Sequence, residues 1–376
     1  MRLALIFFIS FAFHLAAFNQ DKEAFLLAGT YTTGKSEGIY VFRYNSHKLE
    51  ATPVFTATGI KNPSFLAISP NGKKVYAVSE MNGNGNAGMV VAYDFDASNG
   101  SLRKLNEQPS GGDDPCYITV DKTNKWVIAG NYSSGTLAVL PIQANGSLGA
   151  PTTKISHSGS GPDKNRQEKP HVHATVLAPD NRFLFVPDLG TDKIMIYRFD
   201  DKKGTLQPAK QAFAATKPGS GPRHFCFHPS GKFAYILEEL TGSVTVFRYD
   251  AAKGVLKTIQ NISSVPNGFS GEAGSADLHI SADGRFLYAS NRGTSNTIAI
   301  YNVHPTDGKI NLLAHQSTLG RRPRNFSIAP DGKQLIVANQ DSDEMVIFLR
   351  NTETGMLTDS GKRISVPTPV CIIWGF

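Results

Sequence analysis

Apolar and polar positions along the chain form a repeating pattern of short strand-like segments that are separated by turns. Each unit contains a short apolar stretch, a turn rich in Pro, Asp, Asn and Gly, and a second apolar stretch. A third segment follows, in which apolar and polar residues alternate, as in GMVVAYDFD or GSVTVFRYD. Short runs bounded by turn residues predict β-strands, and their regular recurrence predicts a repeat architecture.

Six complete copies of this unit align on their turn residues. The copies are PSFLAISPNGKKVYAVSE, PCYITVDKTNKWVIAGNY, HATVLAPDNRFLFVPDL, PRHFCFHPSGKFAYILEE, ADLHISADGRFLYASNR and PRNFSIAPDGKQLIVANQ. Their turn residues are Gly72, Asn124, Asn181, Gly231, Gly284 and Gly332. Successive turn residues lie 52, 57, 50, 53 and 48 positions apart. A period of about 50 residues fits one four-stranded propeller blade.

The two ends of the chain supply a seventh unit in pieces. FLLAGTY, from Phe25 to Tyr31, matches WVIAGNY, which ends at Tyr132, and it is followed by the third-strand segment GIYVFRY. The missing first strand is PVCIIW, from Pro369 to Trp374. Joining both ends in one blade closes a ring and removes free sheet edges. We therefore predict an all-β, seven-bladed β-propeller, and a stacked solenoid is the alternative architecture.

The first residues have the pattern of a targeting segment. Met1-Arg2 precedes an apolar run from Leu3 to Phe18, and small residues, Ala16-Ala17, stand near its end. This pattern is typical of a secretory signal peptide, so we predict a leader over 1–17 and a single propeller domain over 18–376. The protein is then exported, periplasmic or secreted, with no stable membrane insertion after leader removal. An uncleaved anchor, or a cytoplasmic protein with a leader that does not function, is the alternative.

Composition excludes several classes of protein. The 376 residues are 40% hydrophobic and only 18% charged, which argues against a disordered chain or a coiled coil. The net charge of +7 is spread without long basic runs, so no nucleic-acid partner is indicated. The three cysteines are far apart, and neither a disulfide framework nor a zinc site is predicted. Nothing in the sequence indicates an oligomeric state.

The repeat alignment predicts which residues share one face of the ring. In a propeller blade the first strand lines the channel and the second runs back beside it. The start of strand one and the end of strand two therefore lie on the same face. Starts of strand one are Ser64, Cys116, His173, Arg223, Ala276 and Arg324, and ends of strand two are Glu80, Tyr132, Leu189, Glu239, Arg292 and Gln340. Three clustered arginines with one glutamate favour an anionic ligand, such as a sugar acid.

Other residues near this face allow different interpretations. His171 and His173 have the spacing of a metal pair, but no nearby cluster completes a site, so no metal is predicted. Cys116 could be a nucleophile, although no neighbouring residue in the sequence activates it, and a structural role is favoured. The polar loop HSGSGPDKNRQEKP precedes His171 and could form a lid. Arg166 and Gln167 are its candidate contacts.

The strings GSGPDKNRQEKPHVH, GSGPRHFCFHPSGKFAY, DLHISADGRFLYASNRG and PRNFSIAPDGK together resemble the 6-phosphogluconolactonase family of seven-bladed propellers. That family includes the fungal carboxy-muconate lactonizing enzymes, and the resemblance extends over residues 24–376. It implies lactone chemistry at the channel mouth, without a required cofactor. The implied site residues are His171 or His173, Arg223, Glu239 and Arg292.

The resemblance and the rim alignment together suggest a mechanism of lactone hydrolysis. His173 is the expected general base, Arg223 and Arg292 would polarise the lactone carbonyl, and Glu239 would orient an arginine or assist proton transfer. The expected substrate-binding residues are His171, Arg324, Arg166, His224 and Asp277. We also expect Glu238 to add a second carboxylate beside Glu239.

Two alternative functions remain open from the sequence. One is a muconate-type lactonizing isomerase, which would use the same anion-binding arginines. The other is a non-catalytic exported propeller that binds a glycan or a partner protein. Because phosphorylated gluconolactone is a cytoplasmic metabolite, export would favour an unphosphorylated sugar lactone. The expected partner is in each enzymatic case a small anionic lactone or sugar acid.

Overall fold

The computed structural model describes residues 24–85 and 87–376, and nearly all of its regular structure is β-strand. The first strands in chain order are β1 (Ala24–Thr30), β2 (Gly38–Asn45), β3 (Glu50–Thr58), β4 (Leu66–Ile68), β5 (Lys74–Ser79), β6 (Met89–Asp96), β7 (Ser101–Pro109), β8 (Pro115–Val120), β9 (Trp126–Asn131), β10 (Thr136–Pro141) and β11 (Thr153–Ser156). Next come β12 (Val176–Leu177), β13 (Phe183–Asp188), β14 (Lys193–Asp200), β15 (Thr205–Ala215), β16 (Pro222–Phe227), β17 (Phe233–Glu238), β18 (Ser243–Asp250) and β19 (Val255–Ser263). The last are β20 (Ser275–Ile280), β21 (Phe286–Asn291), β22 (Thr297–Val303), β23 (Ile310–Ser317), β24 (Pro323–Ile328), β25 (Gln334–Asn339), a 3₁₀ turn η1 (Gln340–Ser342), β26 (Glu344–Arg350), β27 (Leu357–Ser365) and β28 (Pro369–Gly375).

These strands form seven four-stranded antiparallel sheets. Blades 1 to 6 are β4–β7, β8–β11, β12–β15, β16–β19, β20–β23 and β24–β27, and blade 7 has the order β28-β1-β2-β3. Strand β28 pairs antiparallel with β1, with Phe25 opposite Gly375 and Leu27 opposite Ile373. The predicted seven-bladed propeller, closed by both chain ends, is therefore confirmed. The predicted leader over 1–17 lies outside the described residues.

The turns of the repeat have the backbone geometry that their residue types predict. All six turn residues have φ between +55° and +74°. Glycine and asparagine adopt this left-handed region with the least steric cost, which explains why only these two types occupy the positions. They are Gly72, Asn124, Asn181, Gly231, Gly284 and Gly332.

The hydrophobic core lies between neighbouring blades. The second strands of blades 2 to 6 are buried along their whole length. Both faces of these strands pack against apolar neighbours, so they are continuous apolar runs rather than alternating ones. Phe25 and Ile39 of blade 7 pack in one cluster with Val75 and Val91 of blade 1, which closes the ring and excludes the open solenoid. In the part of the chain that the structure describes, no helix is long and apolar enough to cross a membrane.

A β-bulge near the start of strand one recurs in four blades. The pairing of strand one with strand two is interrupted between Pro115 and Tyr117, Pro222 and His224, Ser275 and Leu278, and Pro323 and Asn325. A bulged residue is left out of the ladder, and its side chain is redirected. Three bulged residues are Cys116, Arg223 and Arg324, which the repeat alignment had predicted at the channel mouth.

Candidate active site

A cavity of about 380 Å³ opens where the first strands begin and the second strands end. The lining residues come from every blade of the ring, because equivalent positions of all seven repeats converge there. They are Tyr31, Glu80, Cys116, Tyr132, Arg166, His173, Glu239, Glu272, Gly274, Arg292, Gly293, Arg322 and Arg324. Four arginines and three glutamates among them make this a strongly polar cavity.

Glu239, one residue beyond β17, is the most highly connected side chain of the cavity. Its Oε1 lies 2.7 Å from Arg166 Nη2. Its Oε2 lies 2.9 Å from Arg223 Nε, 3.2 Å from Arg292 Nη2 and 3.8 Å from His173 Nε2. One buried carboxylate thus holds three arginines that come from three different parts of the chain.

The charges around Glu239 decide its protonation state. Burial by itself raises the pKa of Glu239, but Arg292, Arg223 and Arg166 outweigh burial and lower the pKa to about 2. Burial also lowers the pKa of Arg292 to about 9, against the opposing influence of Glu239. The cavity therefore holds an ionised glutamate at neutral pH, and this carboxylate compensates part of the arginine charge.

Arg223 does not line the cavity. It is only 1% exposed, and its Nη1 donates to the backbone carbonyl of Ala276. The bulge in β16 directs the side chain inward, beneath the Glu239 carboxylate. Arg223 is therefore placed to fix Glu239 from below rather than to contact a molecule in the cavity.

The loop before His171 brings Arg166 to the site. Arg166 Nη2 lies 3.4 Å from the Tyr132 hydroxyl and forms the ion pair with Glu239. Gln167 has a different role, because it is fully buried and its Nε2 donates to the carbonyl of Leu189 and to Asp192. One residue of the loop reaches the cavity, and its neighbour anchors the loop to blade 3.

His173 lines the cavity just before the short strand β12. Its backbone nitrogen donates to Pro187, which continues the blade pairing beyond β12. Its ring is set edge-on to Tyr132 at 5.3 Å, and its Nδ1 lies 3.6 Å from Cys116 Sγ. Its Nε2 faces Glu239. The imidazole is thus held on three sides.

The environment keeps His173 neutral. Burial is the main cause that lowers its pKa well below the usual value of 6.5, and the charges of Arg223 and Arg324 and the nearby His224 act in the same direction. A neutral imidazole at neutral pH has a free lone pair, so it can accept a proton. Cys116 beside it has a thiol pKa that burial raises, which leaves it protonated and argues against a nucleophilic thiolate.

Arg324 supplies positive charge on the opposite side of the cavity. Its guanidinium lies over the Tyr31 ring, 5.3 Å from the centroid. Within residues 24–85 and 87–376, no carboxylate lies within ion-pair distance of it. Burial lowers its pKa, but Tyr31 and Glu80 outweigh burial and raise it, so the group stays charged. The Arg324 guanidinium can therefore form an ion pair with an anionic ligand in the cavity.

Gly293 lets the loop 272–274 approach Arg292. A Cβ at Gly293 would stand 1.7 Å from the backbone oxygen of Glu272, and the residue has a φ of +37°. The close approach allows Arg292 Nε to donate to the carbonyl of Gly274 at 2.9 Å. Arg292 is thereby aimed at Glu239 and the cavity.

His171 lies outside the cavity, although it is two residues from His173. Its ring stacks on Tyr132 at 4.3 Å, with Nδ1 3.1 Å from the Tyr132 carbonyl and Nε2 3.3 Å from Glu168. It therefore positions Tyr132, and the two histidines do not converge on one point. In the described part of the chain, no group of three or more His, Cys, Asp or Glu side chains could hold a metal ion.

His224 and Asp277 are also outside the cavity and lie deeper in the channel. His224 Nδ1 is 2.7 Å from Asp277 Oδ1, and His279 Nε2 is 2.8 Å from Asp277 Oδ2. The same carboxylate accepts from the side-chain amide of Asn325 and the backbone nitrogen of Phe326. Asp277 thus joins blades 4, 5 and 6, and neither His224 nor Asp277 lines the cavity.

Glu238 does not join Glu239, because successive residues of a strand point to opposite faces. Its carboxylate accepts from Ser243, Thr245 and Asn261 inside blade 4. The expected second carboxylate beside Glu239 was therefore wrong.

Replacing Asp277 by asparagine should lower the free energy of unfolding by about 3–5 kcal/mol, because it removes a buried charge from two histidines and three amide donors. Burial opposes ionisation of Asp277, but His279 and His224 outweigh it and hold its pKa well below 3.8. This stabilisation is present above pH 3.8 and is lost as pH falls through the folded-state pKa. Urea denaturation at pH 7 measures the change.

The matched control is Asp283→Asn, in the exposed turn after β20, which should change stability by less than about 1 kcal/mol. Equal losses for Asp277→Asn and Asp283→Asn would contradict the central role of Asp277.

The cavity also contains residues that the sequence did not single out. Tyr31 occupies the seventh-blade position equivalent to Tyr132. The alignment of FLLAGTY with WVIAGNY could therefore have predicted Tyr31 as a cavity residue. Glu80 stood at a predicted strand end without being chosen as a site residue. Glu272 and Arg322 precede the aligned segments of blades 5 and 6, so the alignment did not include them.

Comparisons with known proteins agree with this architecture. The family model "Lactonase, 7-bladed beta-propeller" matches residues 25–374. The 6-phosphogluconolactonase of Bacillus subtilis (strain 168) is 37% identical over 345 residues, which is 92% of this chain and 96% of that protein. That of Formosa agariphila is 37% identical over 335 residues, 88% of this chain and 94% of that protein. The solved structure of the Pseudomonas aeruginosa periplasmic gluconolactonase has a TM-score of 0.89 and a sequence identity of 36% to this chain. The match covers 94% of this chain and 99% of that protein chain.

The resemblance to 6-phosphogluconolactonases is thereby confirmed over nearly the whole chain. The matched segment includes both ends of the ring and every described residue of the cavity. The chain belongs to the seven-bladed β-propeller lactonase family, and it is a carboxylic-ester hydrolase of the lactonase class.

Proposed function

We propose that the protein hydrolyses a sugar-acid lactone in the cavity at the channel mouth. The observation that carries the proposal is the neutral imidazole of His173 beside an ionised Glu239 that is held by three arginines. A proton acceptor and an anion-binding group are the two requirements for opening a lactone with water. Both occur in this one cavity.

In the proposed reaction, His173 removes a proton from a water molecule as the water oxygen attacks the lactone carbonyl carbon. Arg292 stabilises the negative charge that develops on the carbonyl oxygen. The bond from the carbonyl carbon to the ring oxygen then breaks, and the ring oxygen leaves with a proton as a hydroxyl group. The new carboxyl group ionises, so lactone and water yield a hydroxy-carboxylate and one proton.

Arg223 has an indirect part in this mechanism. The sequence interpretation made it a contact for the carbonyl, but its burial beneath Glu239 supports a positioning role instead. Glu239 in turn orients Arg292 and Arg166 toward the cavity. His171 and His224 act through their neighbours, Tyr132 and Asp277, rather than by touching substrate.

The substrate is a lactone of the gluconolactone type. Relatives named 6-phosphogluconolactonase and periplasmic gluconolactonase support this choice. Arg324, which has no carboxylate at ion-pair distance among the described residues, supports binding of an anionic or polyhydroxylated part of the molecule. The periplasmic relative also supports export of the present protein, with residues 18–376 as the mature domain. An exported enzyme would meet the unphosphorylated lactone.

The decisive experiment follows ring opening of glucono-δ-lactone, its 6-phosphate and muconolactone in ¹⁸O-labelled water. Enzymatic incorporation of ¹⁸O into gluconate, above the uncatalysed rate, supports hydrolysis. Isomerisation of muconolactone without ¹⁸O uptake would favour a lactonizing isomerase. Absence of turnover with all three compounds would favour the non-catalytic binding propeller and overturn the proposal.

Arg324→Gln should raise KM for the sugar lactone by about 10- to 100-fold with a smaller change in kcat, because it removes a charged hydrogen-bond donor worth about 1.5–3 kcal/mol. Steady-state kinetics measure both parameters. Arg321→Gln is the matched control, since Arg321 is exposed nearby and donates to the carbonyl of Asp341. An unchanged KM for Arg324→Gln would contradict its role in substrate binding.

A further inference from the structure

The cavity contains another carboxyl group, that of Glu80, whose environment differs from that of Glu239. Glu80 ends the second-strand segment of blade 1, whereas Glu239 holds the equivalent position in blade 4. Three blades of seven separate them, so the two carboxyls face each other across the channel axis. A glutamate at one repeat position therefore occurs on both sides of the cavity.

The contacts of Glu80 are hydroxyl groups rather than cations. The Tyr31 hydroxyl lies 3.0 Å from Oε1 and 3.1 Å from Oε2, and Ser64 Oγ donates to Oε2. The backbone carbonyl of Glu80 accepts from the Asn62 side chain at 3.1 Å, which fixes the end of the strand. No cation lies within ion-pair distance of Glu80 among the described residues. The carboxyl is held firmly without being neutralised.

These surroundings raise the pKa of Glu80 above the usual value for a glutamate. The titratable groups that face it are Tyr31, Arg324, Asp114 and Cys116. Burial is the main cause that raises its pKa; Arg324 and the hydroxyl donors lower it by less, and Asp114 raises it. Two carboxyls of one site whose environments move their pKa values apart are suited to different tasks in acid–base catalysis.

The position of Glu80 relative to His173 suits a group that acts on the ring oxygen, which is the leaving group of the reaction. Cys116 of blade 2 stands between Glu80 of blade 1 and His173 of blade 3 in the ring, and its Sγ is 3.6 Å from His173 Nδ1. A lactone carbonyl above Cys116 would thus have the base on one side and Glu80 on the other. His173 takes its proton on the side of the attacking water, so a separate donor on the other side can serve the ring oxygen.

We propose that Glu80 is a further catalytic residue, the general acid that protonates the ring oxygen as the carbon–oxygen bond breaks. This proposal rests on the proposed lactonase function. The carboxyl proton moves to the ring oxygen, which becomes the product hydroxyl, and Glu80 becomes a carboxylate. The proton that His173 took from water passes to solvent, and Glu80 regains a proton from solvent through the open cavity. The net reaction remains lactone plus water to hydroxy-carboxylate plus one proton.

The test compares two lactones whose leaving groups differ in basicity. Glucono-δ-lactone releases an alkyl alcohol, which needs a proton, whereas dihydrocoumarin releases a phenol with a pKa of about 10, which needs one much less. Glu80→Gln should lower kcat for glucono-δ-lactone about 10²-fold and kcat for dihydrocoumarin less than about 3-fold. Glu107→Gln, an exposed carboxyl paired with Lys104, should leave both rates unchanged. Equal losses on the two lactones, or no loss, would overturn the proposal.

A pH profile provides a measurement that does not depend on turnover of dihydrocoumarin. With Glu80 as the acid, kcat/KM for glucono-δ-lactone, corrected for the uncatalysed rate, should fall on the alkaline side, and Glu80→Gln should abolish this fall. Tyr31→Phe removes a donor that stabilises the ionised carboxyl, so the fall should move to higher pH. An identical profile in all three proteins would overturn the proposal.

Failure of this proposal can be distinguished from failure of the lactonase function. If the wild-type protein incorporates no ¹⁸O into any lactone product, the proposed function itself is wrong. If the wild type is active and Glu80→Gln retains its full rate and pH profile, only the role of Glu80 is wrong. Far-ultraviolet circular dichroism and the unfolding midpoint of Glu80→Gln separate a chemical effect from a loss of fold.

Discussion

Glu239→Gln should lower kcat/KM for the sugar lactone by about 10²–10³-fold. Three arginines meet on this one carboxylate, and a neutral amide would neither compensate their charge nor hold Arg292 toward the substrate. Arg223 is buried, so it would keep its charge without its ion-pair partner. Steady-state kinetics at pH 7 measure the loss.

The same substitution should alter stability in a pH-dependent way. Glu239 has a pKa of about 2 in the folded protein, compared with 4.5 for an ordinary glutamate. Its stabilisation is therefore present above pH 4.5 and is lost as pH falls toward 2, and it amounts to roughly 3 kcal/mol. The difference in unfolding free energy between wild type and Glu239→Gln should shrink across this range.

Glu238→Gln is the matched control, because the neighbouring carboxyl is also buried but faces Ser243 and Thr245 inside the blade. Its kcat/KM should stay within about 3-fold of the wild-type value, since Gln retains an acceptor oxygen for those hydroxyl donors. Similar activity losses in both variants would indicate a general packing defect and contradict the assigned role of Glu239.

His173→Ala should reduce kcat by about 10²–10⁴-fold, which is the usual contribution of general acid–base catalysis. The imidazole faces the cavity, so its removal leaves a space that free imidazole could enter. Added imidazole should restore part of the lost rate in His173→Ala. His304→Ala, a half-exposed histidine far from the cavity lining, should be as active as the wild type and insensitive to imidazole.

The pH profile of the wild type gives a second measurement of the role of His173. Burial, Arg223 and His224 lower the pKa of this imidazole, so protonation, which would block a base, begins only well below pH 6.5. Activity should therefore stay constant from neutral pH down past 6.5 and fall only at more acid pH. An acid limb at or above pH 6.5, or full activity of His173→Ala, would contradict the mechanism.

The bulges explain which cavity residues the repeat alignment predicted and where it failed. It selected Cys116, Arg223 and Arg324 as one structural position, and all three are bulged residues of strand one. The position of a residue in the repeat does not show, however, how deeply its side chain is buried. Arg324 reaches the cavity, whereas Arg223 turns beneath Glu239, because its neighbours offer Glu239 and the carbonyl of Ala276 as partners.

His171, His224 and Asp277 show the same limit for residues chosen by motif. His171 lies two residues from the cavity residue His173, and His224 directly follows Arg223. The side chains of all three are nevertheless held by partners from distant parts of the chain. Tyr132 is 39 residues from His171, and Asp277 is 53 residues from His224. Such pairings depend on how the blades pack, so local sequence could not indicate them.

The sequence by itself determined the ring, its seven blades and its closure by both chain ends, because strand periodicity and turn residues are local properties that repeat. It also determined which repeat positions converge on one face. Only the tertiary structure decided which side chains line the cavity and which support it. It also decided the opposite pKa shifts of Glu239, which lies among arginines, and Glu80, which lies among hydroxyl groups. Burial and opposing charges set these states, and both arise only when distant blades meet at the axis.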